Sequence, residues 1–381
     1  MREEMLVICA AQMQHMQQKL APLDFGDVDR NNLRDQLCGM ANVLHSRSLK
    51  GLNAKQKDDT KNFYEDLTRW MHFLLISKAT YVPEEMRFVL DTILSVWLGP
   101  GLSKLTLVYV EGDFSVVQGN KNPLGITVFE DVTGIAFTKE PVFIRIPHFY
   151  QEDMLFNIAL FHEIGHVVDA QLNIFYDVKE SVKKSIKSGA GYDCSKTLMR
   201  LYFPVLYKSG RFDERILVSY IKEYIADLFA AQYVGPYIIE YLDYIGAQTK
   251  IDDSKTHPHF DQRKQVVMDF LNCMNTKTHS TSNFLLRFIM DSFSGAGRGK
   301  LIIRWKNILG DDLLKGNTVP ISNVDDMISI FKHTWDVIYM GVNAIENARK
   351  IPLNTMSHFD FYDSFNKRVM ESIATFRVNY P

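Results

Sequence analysis

Phe156-Asn-Ile-Ala-Leu-Phe-His162-Glu163-Ile-Gly-His166-Val-Val-Asp169 places a His-Glu-x-x-His pattern inside an almost continuous apolar run. On an α-helix, residues four apart share a face, with Cβ atoms about 5–6 Å apart. His162 and His166 can therefore reach one metal ion, at ~2.0–2.1 Å each if it is zinc. Glu163, one position on, is rotated toward the open side of such an ion. A carboxylate there takes the proton from a water that the ion acidifies, which is the arrangement for metal-assisted hydrolysis. The same pattern also arises by chance on buried helices. The flanks weigh against chance: Met154, Leu155, Ile158, Ala159, Phe161, Val167 and Val168 make the segment apolar nearly all round, as in a helix packed on two sides. Such a helix has little reason to carry three ionisable groups unless they have partners.

A second stretch supplies a partner. Asp213 to Val234, closed by Gly235-Pro236, reads as a helix containing Glu223-Tyr-Ile-Ala-Asp227. Glu223 and Asp227 lie on one face among Ile, Leu and Phe, where two acids are costly unless a cation or a donor meets them. An ion held by two histidines needs a third protein ligand, and Glu223 fits. Asp227 would then accept from the free ring nitrogen of a ligand histidine. The alternative is an exposed acidic pair on the outside of an ordinary helix.

The remaining composition is that of a soluble globular chain. It has 381 residues, 46% hydrophobic and 23% charged, with net charge −2. That balance points to neither nucleic acid nor an anionic membrane surface, and length allows two or three subdomains. Cys9, Cys38, Cys194 and Cys273 form no Cys-x-x-Cys pair, so reduced thiols in a cytoplasmic protein are expected. Glu3 and Glu4 ahead of a short apolar run are unlike a signal peptide. No run approaches the ~20 apolar residues of a membrane span.

Taken in order, residues 1–98 read as a helical N-terminal region, with helices at Glu3–Leu20, Asp29–His45, Asp58–Ser77 and Glu84–Leu98. The third carries Phe63, Leu67, Trp70, Met71 and Leu74 at helical spacing. After Gly99-Pro100-Gly101 the pattern changes to short β-rich runs: Leu105–Val110, Phe114–Val117, Gly125–Phe129, Gly134–Thr138 and Val142–Ile146. A small sheet of four or five strands is expected. Val142–Ile146 is the candidate edge strand that would take an extended peptide by β-augmentation; an ordinary strand with Arg145 facing solvent is the alternative. Residues 171–211 form a helical insert, charged and solvated over Lys179–Lys187. From 277 to 381 the chain is again helical, with Ile302–Leu309, Asn323–Lys332 and Phe365–Phe376 as its clearer pieces.

With these residues in view the chain resembles the gluzincin metallopeptidases, through His162-Glu163-Ile-Gly-His166 and Glu223-x-x-x-Asp227 on a later helix. Thr256-His257-Pro258-His-Phe-Asp-Gln-Arg263 further resembles the Ser/Thr-His-Pro-x-x-x-x-Arg segment of the HtpX and CaaX-prenyl protease group. The resemblance implies that His257 steadies an oxyanion and that Arg263 pairs with the carboxylates of the metal site. It covers roughly residues 84–276. The chain departs from the membrane members in lacking transmembrane spans, and the stretch from His166 to Glu223, 57 positions apart (223 − 166), holds a soluble insert. ImmA/IrrE-like regulatory peptidases share the His-Glu-x-Gly-His pattern, but no helix-turn-helix signal is present.

The expectation is therefore an α+β, mostly α chain. A zincin-like metallopeptidase core at 99–276, made of a small mixed sheet plus active-site helices, would carry helical N- and C-terminal additions. It would hold one Zn2+ per chain through His162, His166 and Glu223, with Glu163 and His257 catalytic and Asp227 and Arg263 supporting them. Its partner would be a peptide or protein substrate. Two rivals stay open: a protease switched on by a partner or signal, and a catalytically silent metal-stabilised module that binds a partner in its cleft.

Overall fold

The computed structural model describes residues 3–47, 51–118, 125–148, 151–188, 199–209, 213–249, 257–276, 283–295, 299–306, 310–340, 342–349 and 357–380. It is mostly helical with one small mixed sheet. The chain divides into two compact units, residues 1–82 with 99–152, and residues 83–98 with 153–381. This division cuts across the sequence-order boundaries at 98 and 276: the fourth helix groups with the helix that carries His162 and His166, and the sheet with the first three helices.

In the first unit, α1 (Glu3–Leu20) packs on α2 (Val28–His45) and α3 (Ala54–Ser77), and α2 and α3 pack against the sheet. Asp27 caps α2, and Asn53 with Gln56 forms a capping box on α3, satisfying N–H groups that have no partner within the helix. Phe63, Leu67, Trp70, Met71 and Leu74 are all buried, in a core shared with Val108, Val110 and Phe143 of the strands.

The sheet has three strands, β1 (Leu105–Glu111), β2 (Ser115–Gln118) and β3 (Glu140–Ile146), in the order β1-β3-β2. β1 runs parallel to β3 from Leu105 opposite Glu140 to Glu111 opposite Ile146; β2 runs antiparallel to β3 from Ser115 opposite Arg145 to Gln118 opposite Val142. Three expectations are thereby corrected. Val142–Ile146 lies in the central strand, hydrogen-bonded on both sides, so it has no free edge for an added strand. Gly125–Phe129 is not a strand but part of α5 (Gly125–Thr133). Its β-branched run reads as strand locally, yet Phe129 is fully buried against Phe63 and Trp70, at ring centroid distances of 4.8 and 4.9 Å; packing overrides propensity here. Gly134–Thr138 has no strand partner either. Gly134, at φ +71°, ends α5, and its N–H bonds back to the Glu130 carbonyl.

The second unit is helical among its described residues. α4 (Glu84–Leu98), α6 (Ala159–Leu172) and α7 (Ile174–Ser188) are followed by α8 (Pro204–Ser209), α9 (Glu214–Val234), α10 (Tyr237–Thr249) and α11 (Phe260–Thr276). The rest is α12 (Phe284–Ser294), α13 (Gly310–Leu314), α14 (Val324–Met340), α15 (Val342–Arg349) and α16 (His358–Asn379). The insert is not solvated throughout: Ile174, Val178 and Val182, four apart on α7, are fully buried. Ile302–Leu309 is not a helix over 302–306, and 307–309 lie outside the described residues. The Arg304 N–H donates to the Gln232 carbonyl at 2.8 Å and the Lys306 N–H to Ser329 Oγ at 3.0 Å. Alternate backbone donors spent on α9 and α14 hold this segment extended.

Candidate metal centre

The centre forms where α6 crosses α9. Phe161 of α6 meets Tyr233 of α9 and Phe331 of α14, with ring centroids 5.8 and 5.3 Å apart, and Tyr233 accepts from Trp97 Nε1 at 2.5 Å. Gly165 is the residue that lets the helices meet. A Cβ built on it would lie 2.8 Å from Ala226 Cα and 3.0 Å from Phe229 Cβ, closer than side chains pack. The sequence reading passed over Gly165, although glycine inside a helix costs roughly 1 kcal/mol against alanine and so asks for a reason.

This crossing brings His162, His166 and Glu223 together, one ligand atom from each lying within 4.8 Å of the others. Glu223 Oε2 is 3.6 Å from His162 Nε2, and Oε1 is 3.5 Å from His166 Nε2. Ligands about 2.0–2.1 Å from a tetrahedral ion stand roughly 3.3–3.4 Å from each other, so the residues fit a small divalent cation. The donor set, two imidazoles and one carboxylate, is that of a site that keeps a fourth position open.

The surrounding groups orient these ligands. His162 Nδ1 is 2.9 Å from Asp227 Oδ1, which fixes the ring with Nε2 toward Glu223. Asp227, 0% exposed, takes a bidentate contact from Arg263: Nε donates to Oδ2 at 2.8 Å and Nη2 to Oδ1 at 2.7 Å. The same Nη2 is 3.3 Å from Glu223 Oε2. One planar guanidinium thus bridges both buried carboxylates.

Electrostatics follow the geometry. Burial alone would push the His162 imidazolium down, but hydrogen bonds to Asp227 and Glu223 raise it to about 10. The proton favoured on Nε2 is the one an ion would displace, leaving Nδ1–H with Asp227. Burial would raise both acids, yet Arg263 and His162 lower Asp227, and Arg263 with His162 and His166 holds Glu223 well below the usual carboxylate range. Glu163, 7% exposed, is pushed up to about 7, mainly by burial and against the pull of His162.

His257 sits at the rim with its side chain 52% exposed and Nε2 3.7 Å from Glu223 Oε1. Thr256 lies outside the described residues. Pro258 does not open the following helix, which begins at Phe260 with the His259 carbonyl accepting from Gln262 and Arg263 N–H. His257 is therefore held in irregular chain just ahead of α11.

Sequence reasoning also missed the brace under α6. Asn366 Oδ1, on α16, accepts from the Met154 N–H at 2.9 Å, and the Tyr362 hydroxyl donates to Asp153 Oδ1 at 2.8 Å. Asp153 Oδ1 in turn accepts from the Phe156 N–H. At the far end, Asp169 Oδ1 accepts from the Phe175 N–H at 2.7 Å, around Asn173 in the left-handed region. Contacts more than 200 residues apart leave no local signal.

No protein-family model, curated protein or solved structure matches this chain.

Proposed function

We propose that the second unit is a zinc-dependent metallopeptidase of the gluzincin kind that hydrolyses peptide bonds inside the cell. The observation that carries the reading is the convergence of His162, His166 and Glu223 with a buried Glu163 that no ligand role requires. A purely structural site has no use for that acid. Charge supports it too. Glu223 and Asp227, both held ionised beside Arg263, outnumber its single charge, so the buried cluster keeps an excess of negative charge that a cation would offset.

Zinc held by His162, His166 and Glu223 would lower the pKa of a water and polarise the scissile carbonyl. Glu163 takes the proton of the attacking water and hands it to the leaving amine. Asp227 keeps the His162 ring in its donating orientation, and Arg263 keeps both acids ionised where they are buried. His257, at the open rim, donates to the oxygen on which charge develops. The free thiols Cys9, Cys38 and Cys273 suit an intracellular setting. Among the described residues no helix is long and apolar enough to cross a membrane.

Elemental analysis of protein purified without added metal should find about one zinc per chain. Cleavage of a peptide library should then be abolished by a chelator and restored by zinc. Glu163→Gln keeps size and hydrogen bonding, so zinc and fold should remain while hydrolysis drops by at least ~10²-fold. A Glu163→Gln protein with undiminished biological effect would transfer the reading to a metal-stabilised binding module.

A further inference from the structure

A second concavity in the same unit carries chemistry of its own. α10 presents Tyr237, Glu240, Tyr241 and Tyr244 at i, i+3, i+4 and i+7, one helical face. Trp335 and Tyr339, four apart on α14, close one side, and Phe156 and Ile158 close the other, around a cavity of about 190 Å³. The rings are ordered. Tyr237 lies against Trp335 at 6.0 Å and 27°, and against Tyr339 at 5.3 Å; Phe156 meets Tyr244 edge-on at 5.3 Å.

Its position relates it to the metal centre. Ile158 leads directly into α6 in helical conformation, so it shares a face with His162 one turn on, about 6 Å along the axis. Tyr241 is within electrostatic reach of Arg263, which bridges Glu223 and Asp227. A peptide lying across the metal site advances about 3.3–3.6 Å per residue, so a side chain next to the scissile bond can reach this cavity.

Its character selects the occupant. The lining is mostly aromatic, and an aromatic ring attracts a cation that comes within about 6 Å of its face. Glu240 adds an exposed carboxylate to the lining, where it accepts a hydrogen bond from the Tyr339 hydroxyl. The nearest lysine on α14, Lys332, is committed to Asp336 at 2.6 Å. Tyr237 donates its hydroxyl to that same Asp336 at 2.6 Å, which anchors the ring at the cavity wall. An aliphatic stem between aromatic walls with its charge at a carboxylate describes a lysine or arginine side chain.

We propose that this aromatic cavity is a substrate-specificity pocket for a lysine or arginine side chain of the peptide, with Glu240 receiving its charge. The proposal rests on the peptidase reading of the metal centre, and two experiments keep their failures apart. In the first, Glu163→Gln protein, which binds without turnover, is titrated with the blocked amides of lysine, arginine and norleucine, following tryptophan fluorescence. Trp335→Phe serves to assign the signal. Lysine or arginine amide should bind about tenfold tighter than norleucine amide, and Glu240→Gln should erase that advantage while leaving norleucine unchanged. Tyr339→Ala should weaken all three. Equal binding of norleucine, no effect of Glu240→Gln, or no binding by any probe overturns the proposal. In the second, wild-type protein cleaves a peptide library. Basic residues next to the cut should be enriched, and Glu240→Gln should lower kcat/KM about tenfold on basic peptides only. Cleavage without that preference overturns the pocket and spares the peptidase. Absence of any chelator-sensitive cleavage overturns the peptidase and, with it, the pocket's role in a substrate.

Discussion

Gly165→Ala should cost little in folding and much in metal binding. The added Cβ would lie 2.8 Å from Ala226 Cα, where ordinary contact begins at 3.4 Å, so α6 and α9 must part by 0.6 Å or more (3.4 − 2.8). Two of the atoms met are backbone, at Ala226 Cα and Ala226 O, so no rotamer change relieves the clash. Overpacking of this kind costs about 1–3 kcal/mol, and the better helix propensity of alanine returns about 1 kcal/mol. The net loss is roughly 0–2 kcal/mol, a fall in Tm of some degrees. The ligands respond more sharply. His162 and His166 are on one helix and Glu223 on the other, and metal sites tolerate only about ±0.2 Å in their bond lengths. Metal affinity should fall by about 10–100-fold or more, the range seen when a supporting group is lost. Competition against a zinc chelator measures the affinity, and a thermal melt of the chelated protein measures the fold. Wild-type affinity in Gly165→Ala would refute the close crossing as the device that assembles the site.

Arg263→Ala strips the partner from two buried carboxylates, one of them fully enclosed; it should destabilise the protein by about 3–5 kcal/mol, read in denaturant melts, and an unchanged midpoint would deny the bridging role. His257→Ala should lower kcat by about 10²–10³-fold with KM and zinc content unchanged, whereas wild-type kinetics would reduce the segment before α11 to a connection. Asp336 supplies a pH test: burial opposes its charge, but hydrogen bonds from His333, Lys332 and Tyr237 hold it at about 2, below the unfolded value of 3.8. Its contribution is full above pH 4 and lost as pH falls toward 2, at most about 2 kcal/mol, so Asp336→Asn should flatten acid unfolding in that window, and an unaltered acid midpoint would count against it.

Much of this architecture was legible locally. Glu3–Leu20 follows its apolar periodicity, and Glu84–Leu98 ends at Gly99-Pro100-Gly101, because amphipathic spacing and breakers act within a few residues. The strands at Leu105 and Val142 were also visible as β-rich runs. What failed was context. Gly125–Phe129 has a strand's composition but packs as a helix on Phe63 and Trp70. Ile302–Leu309 has a helix's pattern, but over 302–306 its backbone donors are taken by Gln232 and Ser329. Val142–Ile146 is a strand, but whether a strand is central or at an edge depends on its neighbours and not on its residues.

The site divides in the same way. Helical geometry alone puts His162 with His166, and Glu223 with Asp227, because a rise of one turn is a property of the backbone. That these two pairs face each other is a fact of the α6–α9 crossing, set by Gly165 against Ala226. The bidentate grip of Arg263 on Asp227, and the brace of Asn366 and Tyr362 under the start of α6, join segments 36 to more than 200 residues apart. Sequence determined which side chains could share a helical face; only tertiary packing, which acts between residues remote along the chain, decided which faces would meet.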